Sequence, residues 1–173
     1  MRASVDAILV VREGGDRLGH TLRAVAAQSR PVNRVVIANT SADSTLSAQI
    51  ETALQGLSLK TEILDLAYTM AWPEIVDQSM AHVFPGGDDI PESSWVWLLR
   101  DDVTPHPTAL ELLALSVESA PMVKIVGPKQ RVASKPAMIR EMGESITRFG
   151  ERMALAEREM DQAQYDRLSD VLA

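Results

Sequence analysis

With 173 residues, 46% of them hydrophobic, the chain is long enough for one buried core and short for two. Its 17 Lys and Arg against 24 Asp and Glu leave a formal charge of −7, which carries no electrostatic footprint for nucleic acid and no polybasic anchor for an anionic membrane. The absence of cysteine excludes a disulfide scaffold, Cys-ligated zinc and thiol catalysis, and fits a cytoplasmic setting.

No apolar run approaches the roughly 20 residues of a membrane-spanning helix. The short run Ala7 to Val11 is too brief for a signal peptide and is followed by Arg12 and Glu13. Val5 to Val11 instead reads as a strand covered on both faces, ending in Gly14-Gly15. Leu18, Leu22, Val25 and Ala26 then recur at helical spacing, with Asp16 as the expected cap and Pro31 closing the segment.

Val35 to Ala38 reads as a second strand, Asn39 to Ser44 as a loop, and Leu46, Ile50, Ala53 and Leu54 as one face of a helix stopped by Gly56. Leu59 to Leu66 is a third strand whose Lys60, Glu62 and Asp65 mark it as half exposed, at the sheet edge. Pro73 opens a helix carrying Ile75, Val76, Met80 and Val83, and Phe84 to Ser94 is a loop by its Pro, Gly and Asp content.

Trp95 to Leu99 is an apolar strand ending in Arg100, Asp101 and Asp102, and Thr108 with Glu111 has the spacing of a capping box for a helix bearing Leu110, Leu113, Ala114 and Val117. Met122 to Val126 is expected as a fifth strand, Met138 to Met142 as a short strand, and Met160, Tyr165, Leu168 and Leu172 as one face of a final helix. The β-α-β-α order predicts an α/β fold with a mainly parallel sheet sandwiched by helices and right-handed crossovers.

Ligands of such sheets bind beyond the carboxyl ends of the strands, which directs attention to Arg12–Asp16, Asn39–Ser44 and Arg100–Pro107. Adjacent Asp101 and Asp102 at the end of an apolar strand bring like charges together, a costly arrangement without a cation. Hard oxygen ligands suit Mg²⁺ or Mn²⁺ bridging to a diphosphate; equally, the two acids end the strand, make turn contacts and are partly neutralised by Arg100. Gly14-Gly15 lacks a phosphate-loop or dinucleotide pattern and reads as a turn. His20, His82 and His106 have no metal-ligand spacing, and Ser29, Ser41 and Ser44 lack a nucleophile-elbow context.

The ordered segments SVDAILVVRE, LGHTLRAVAAQSRPVNRVVIANTSADS, WVWLLRDDVTPHPTALELL and VKIVGPK resemble the nucleotide-sugar-binding part of the inverting family 2 glycosyltransferases, which have the GT-A fold. The resemblance covers most of residues 4 to 130, and MGESITRFG is similar to a later segment of large, membrane-attached actinobacterial members. It implies residues 1–130 as a nucleotide-sugar-binding domain, with 131–173 extending it toward an acceptor region absent from this chain, so that the fold is incomplete at its C-terminus.

The resemblance further implies Mn²⁺ or Mg²⁺ held by Asp102, with Asp101 assisting, where the family has its Asp-x-Asp motif. Arg12, Asn39, Ser41, Asp43, Arg100 and Asp101 fall on donor-binding positions. Two departures stand out: Arg100 replaces the first acid of the motif, and Ala38 replaces a nucleotide-contacting Asp. No residue of this chain matches the family's catalytic base, so donor binding with little transfer is expected of it alone.

The implied activity is transfer of a sugar from a nucleoside diphosphate to an acceptor hydroxyl on a glycan or lipid-linked acceptor, for a cell-envelope polysaccharide. The setting implied is the cytoplasm, with the longer protein membrane-associated on that side. A truncated core would leave Met153, Leu155 and Met160 partly uncovered and favour a homodimer. The alternative is a noncatalytic glycosyltransferase-like binding or assembly domain. A phosphoacceptor receiver domain would need acids after the first strand, where Arg12 and Glu13 stand.

Overall fold

The computed structural model describes residues 2–41, 45–87 and 89–166. Its packing divides the chain after Pro121, whereas from sequence the boundary falls after residue 130.

The first unit is built on four parallel strands. These are β1 (Ser4–Val11), β2 (Val35–Asn39), β3 (Thr61–Asp65) and β4 (Ser94–Arg100), in the order β3-β2-β1-β4. The intervening helices are α1 (Asp16–Ala26), α2 (Leu46–Leu54), α3 (Trp72–Val83) and, after β4, α4 (Ala109–Ser119).

Alternate residues of the central strands feed two separate cores, as the two-residue period of a strand requires. Ala7, Leu9, Val11, Val35, Ile37 and Leu99 pack with Leu18, Leu22 and Val25 of α1 and Leu46 and Ile50 of α2. Ile8, Val10, Val36 and Ala38 pack with Ile75 and Val83 of α3. Burying each such side chain stabilises the unit by about 1.5–3 kcal/mol relative to exposure, which outweighs any local propensity. β3 lies at one edge with Ile63 partly exposed, as its polar residues foretell.

Two helix starts differ from expectation. Gly15, not Asp16, occupies the N-cap of α1, at φ +73°; Asp16 is the first helical residue and acts through the helix dipole instead. Thr108 precedes α4 without capping it, and Glu111 accepts a hydrogen bond from Ser29 Oγ at 2.6 Å, so the expected capping box does not form. At α3, Pro73 falls in the first turn as expected, and Glu74 accepts the Ala71 N–H at 2.8 Å.

The second unit is an antiparallel sheet of β5 (Gln130–Val132), β6 (Lys135–Ile146) and β7 (Arg152–Glu157), in that order. Ile139, Met142 and Ala156 form its small core, with Tyr165 against it. Asp161 is paired with Lys129 at 2.9 Å and with Arg131 at 2.6 Å.

Three sequence expectations change here. Met122–Val126 is not a strand: Met122 and Ile125 are largely exposed, and the five residues between Pro121 and Gly127-Pro128, apolar except for Lys124, find no sheet partner. The strand expected at Met138–Met142 is real but much longer, spanning β6. Met160, expected in a helix, instead forms an isolated antiparallel bridge with Met138, while Leu168 and Leu172 lie outside the described residues. No helix among the described residues is long and apolar enough to cross a membrane.

Candidate functional site

The order β3-β2-β1-β4 contains a topological switch: the chain steps from β1 outward to β2 and β3, then returns to the other side of β1 to form β4. The loops leaving β1 and β4 therefore diverge from neighbouring strands at their carboxyl ends, the place where ligands of such sheets bind. Val10 pairs with Arg100 in the last step of the β1–β4 register, so Arg12–Gly15 and Asp101–Pro107 emerge side by side.

Asp101 joins these loops. Its Oδ2 accepts the backbone N–H groups of Arg12, Glu13 and Gly14 at 3.0, 3.1 and 3.1 Å, and the residue is only 7% exposed. Three successive amides turned toward one point form an anion-binding concavity, and here the anion is the chain's own carboxylate. The positive φ of Gly14 and Gly15 permits that turn. Gly14 also lies so close to α2 that an added Cβ would meet Leu46 Cδ1 at 2.3 Å, and Gln49 Oε1 accepts the Gly15 N–H at 2.9 Å.

The β4 loop is fastened at two further points. Thr21 Oγ1, fully buried on α1, donates to Val103 O at 2.6 Å. Buried Gln28, just beyond α1, donates through Nε2 to His106 O at 2.9 Å and accepts the Leu110 N–H at 2.9 Å through Oε1. Gln28 thus supplies from across the fold the helix-start partner that Thr108 does not give α4.

Asp102, unlike buried Asp101, is exposed. Its Oδ1 lies 3.5 Å from Arg100 Nε, and both side chains reach solvent. The remaining residues singled out from sequence are distributed around the same sheet end. Arg12 donates through Nη2 to Met70 O at 2.8 Å. Asn39, nearly buried, donates to Asp65 Oδ1 at 2.7 Å, and its Oδ1 accepts the Ser41 N–H at 3.3 Å. Asp43 lies outside the described residues.

The arrangement brings Arg12, Arg100, Asp101 and Asp102 together around the switch point and puts Asn39 and Ser41 at the end of the adjacent strand. Asp65, Gln49, Thr21 and Gln28 complete its support and were not singled out for it from sequence. Their signal is weak because each lies on a different element, far along the chain from its partner.

No protein-family model matches the chain, and no curated protein matches it. Among solved structures, S. aureus TarS is similar over 81% of this chain and 25% of that one, at 15% identity and a TM-score of 0.50. A structure of S. aureus TarS 1–349 is similar over 81% of this chain and 42% of that one, at 16% identity and a TM-score of 0.49. The fold of the chain is similar to that of the first TarS structure. At this identity the likeness bears on the arrangement of sheet and helices alone, and the chain spans about a quarter of the length of the first TarS chain.

The adjacent acids at the end of β4 raise the matter of a metal, and the side chains bear on it directly. Among the described residues no three Asp, Glu or His side chains converge as a cation site. Asp101 Oδ2 is engaged by amides, which leaves Asp102 as the outward acid. A single carboxylate fits a Mg²⁺-type ion whose other ligands are substrate phosphate and water, and does not fit an ion held by the protein alone.

Proposed function

We propose that the parallel-sheet unit binds the diphosphate of a nucleoside diphosphate sugar at the carboxyl ends of β1 and β4, and that it serves inverting glycosyl transfer of the family 2 kind. The observation that carries this reading is the Asp101 knot at the switch point, which fixes both loops while leaving Arg100 and Asp102 exposed beside it. The glycosyltransferase-like fold supports the same direction.

In this reading the division of labour follows from the side chains. Asp101 holds the β1 loop in place; Arg100, with a planar guanidinium, reaches phosphate oxygens; Asp102 holds Mn²⁺ or Mg²⁺ together with the diphosphate. The ion supplies neutralisation of the leaving diphosphate. Asn39 and Ser41 line the nucleotide side, with Asn39 oriented by Asp65. The acceptor, a glycan or lipid-linked hydroxyl, and the base that deprotonates it are assigned to no residue of this chain.

The test is calorimetric titration of a panel of nucleoside diphosphates and their sugars, with and without Mn²⁺, into the chain and its Asp102→Ala variant. Metal-dependent binding that the variant loses is the expected result. A second reading, a noncatalytic glycosyltransferase-like domain, is favoured by the Arg100–Asp102 pair, which meets the Asp102 charge within the chain. A folded chain that binds no nucleoside diphosphate under either condition overturns donor binding by this chain and is the result expected of this second reading or of a donor site that needs a downstream segment.

A further inference from the structure

The two edges of the parallel sheet are unlike. β3 carries charge along its length, with Lys60 before it and Glu62 and Asp65 within it, and Glu62 is paired with Arg34 and His82. Charges of that kind protect an edge from pairing with another strand. β4 has no charge from Ser94 to Leu99, and Trp95–Leu99 is apolar throughout. Leu98 is 40% exposed although Ile8, its β1 neighbour in register, is fully buried.

The backbone of β4 is equally one-sided. Ser93 O accepts the Ser4 N–H at 2.8 Å and the Asp101 N–H donates to Val10 O at 3.2 Å, so the odd-numbered residues of this strand address β1. By the two-residue period of a strand, the N–H and C=O groups of Val96, Leu98 and Arg100 point to the outer side. Among the described residues no strand pairs there.

We propose that the outer edge of β4 is a self-association surface, on which a second copy of the chain adds its own β4, antiparallel, about a two-fold axis at Val96. A two-fold axis perpendicular to the sheet sets one residue opposite itself, and the registers that keep the apolar run against itself are centred on Val96, Trp97 or Leu98. Centring on Trp97 sets Asp102 against Glu92 of the other copy, like charge against like, and centring on Leu98 sets Trp95 against Asp101. Centring on Val96 sets Arg100 against Glu92 and Trp95 against Trp97, the opposite-charge and aromatic pairs that stabilise neighbouring strands. The pairing consumes the open edge of both copies, so association stops at a dimer.

The test is sedimentation equilibrium of the whole chain across a dilution series, beside its Leu98→Lys, Glu92→Lys and Met153→Lys variants. A reversible monomer–dimer equilibrium is expected. Leu98→Lys weakens it by about tenfold per copy, hence about a hundredfold in all. Glu92→Lys also weakens it, and combining Glu92→Lys with Arg100→Glu restores it. Met153→Lys, on β7, leaves it unchanged. Leu98 and Glu92 are exposed, so the urea midpoints of their variants at monomeric dilution stay close to that of the unaltered chain, which separates a lost dimer from a lost fold.

Because the chain has no cysteine, single substitutions report the register. Val96→Cys puts two thiols on the axis, where opposed Cα atoms about 5.5 Å apart suit a disulfide, whereas Leu98→Cys puts them about 13 Å apart. Oxidation is expected to cross-link the first variant and not the second. A chain monomeric at every dilution overturns the proposal and assigns the edge to a different strand, such as a downstream segment. A dimer indifferent to Leu98→Lys, one dissociated by Met153→Lys, or cross-linking of Leu98→Cys in preference to Val96→Cys overturns it as well.

Discussion

Asp101 Oδ2 accepts the backbone N–H of Gly14 at 3.1 Å across the switch between β1 and β4, two residues 87 apart in sequence. With the Arg12 and Glu13 amides on the same oxygen, this contact ties the glycine turn after β1 to the end of β4.

Asp101→Ala leaves three amides at a part-buried site without their charged acceptor. Bonds to a charged group contribute about 1.5–3 kcal/mol each but are not additive when shared, so a loss of about 3 kcal/mol is expected, read as a lower denaturation midpoint in urea. Asp101→Asn keeps one acceptor oxygen without the charge and is expected to lose about half as much.

Gln28→Ala is expected to destabilise the chain by about 2 kcal/mol, because His106 O and the Leu110 N–H lose their partner together. Thr108→Ala has a far smaller effect in the same denaturation experiment, since Thr108 makes no side-chain cap to α4.

Two glycines at positive φ separate strain from crowding. Gly56 has φ +75° and open space around it, so Gly56→Ala costs about 1 kcal/mol from backbone strain alone. Gly14 has φ +66° and Leu46 Cδ1 2.3 Å from the place of a Cβ, so Gly14→Ala costs that and a further 1 kcal/mol or about that for displacing α2 side chains. Thermal unfolding of the two variants should rank them in that order.

Acid sensitivity has identifiable sources. Arg34, then His82, hold the Glu62 carboxyl below its ordinary value, and Arg30, then the Ala3 N–H, do the same for Glu118. A carboxyl depressed in the folded state stabilises it at pH values above the ordinary 4.5, and that contribution is lost as pH falls through the lower folded value. Glu118→Gln is therefore expected to flatten the fall in stability below pH 4.5, measured by urea midpoints across an acid series.

Much of the parallel unit is legible in the sequence because its elements announce themselves locally. Ala7–Val11 is an apolar run that suits a doubly covered strand, and Leu18, Leu22 and Val25 share one face of a helix; all are buried as read, while Asp6 beside the run is half-buried and pairs with Arg34. Met122–Val126 fails for the same reason in reverse: a short apolar run has no period to judge by, and its strand status depends on a partner that local sequence does not name. At the site, the end of β4 stands out as two adjacent acids, yet their separate roles do not. Asp101 and Asp102 differ by which backbone each meets, and the Asp101 partners lie near the other end of the unit. Gln28 stands in the sequence as a Gln before a Pro, but its grip on both His106 and Leu110 becomes visible only when α1 and α4 are brought together.

The central claim is that a nucleoside diphosphate sits at the carboxyl ends of β1, β2 and β4. The most direct measurement is an amide chemical-shift map of the isotope-labelled chain, titrated with the tightest-binding nucleoside diphosphate in the presence of Mg²⁺. The account predicts the largest changes in Arg12–Gly15, Asn39–Ser41 and Arg100–Val103. Saturable binding whose changes fall instead at the amino ends of the strands, around Arg30 and Asn33, would contradict it.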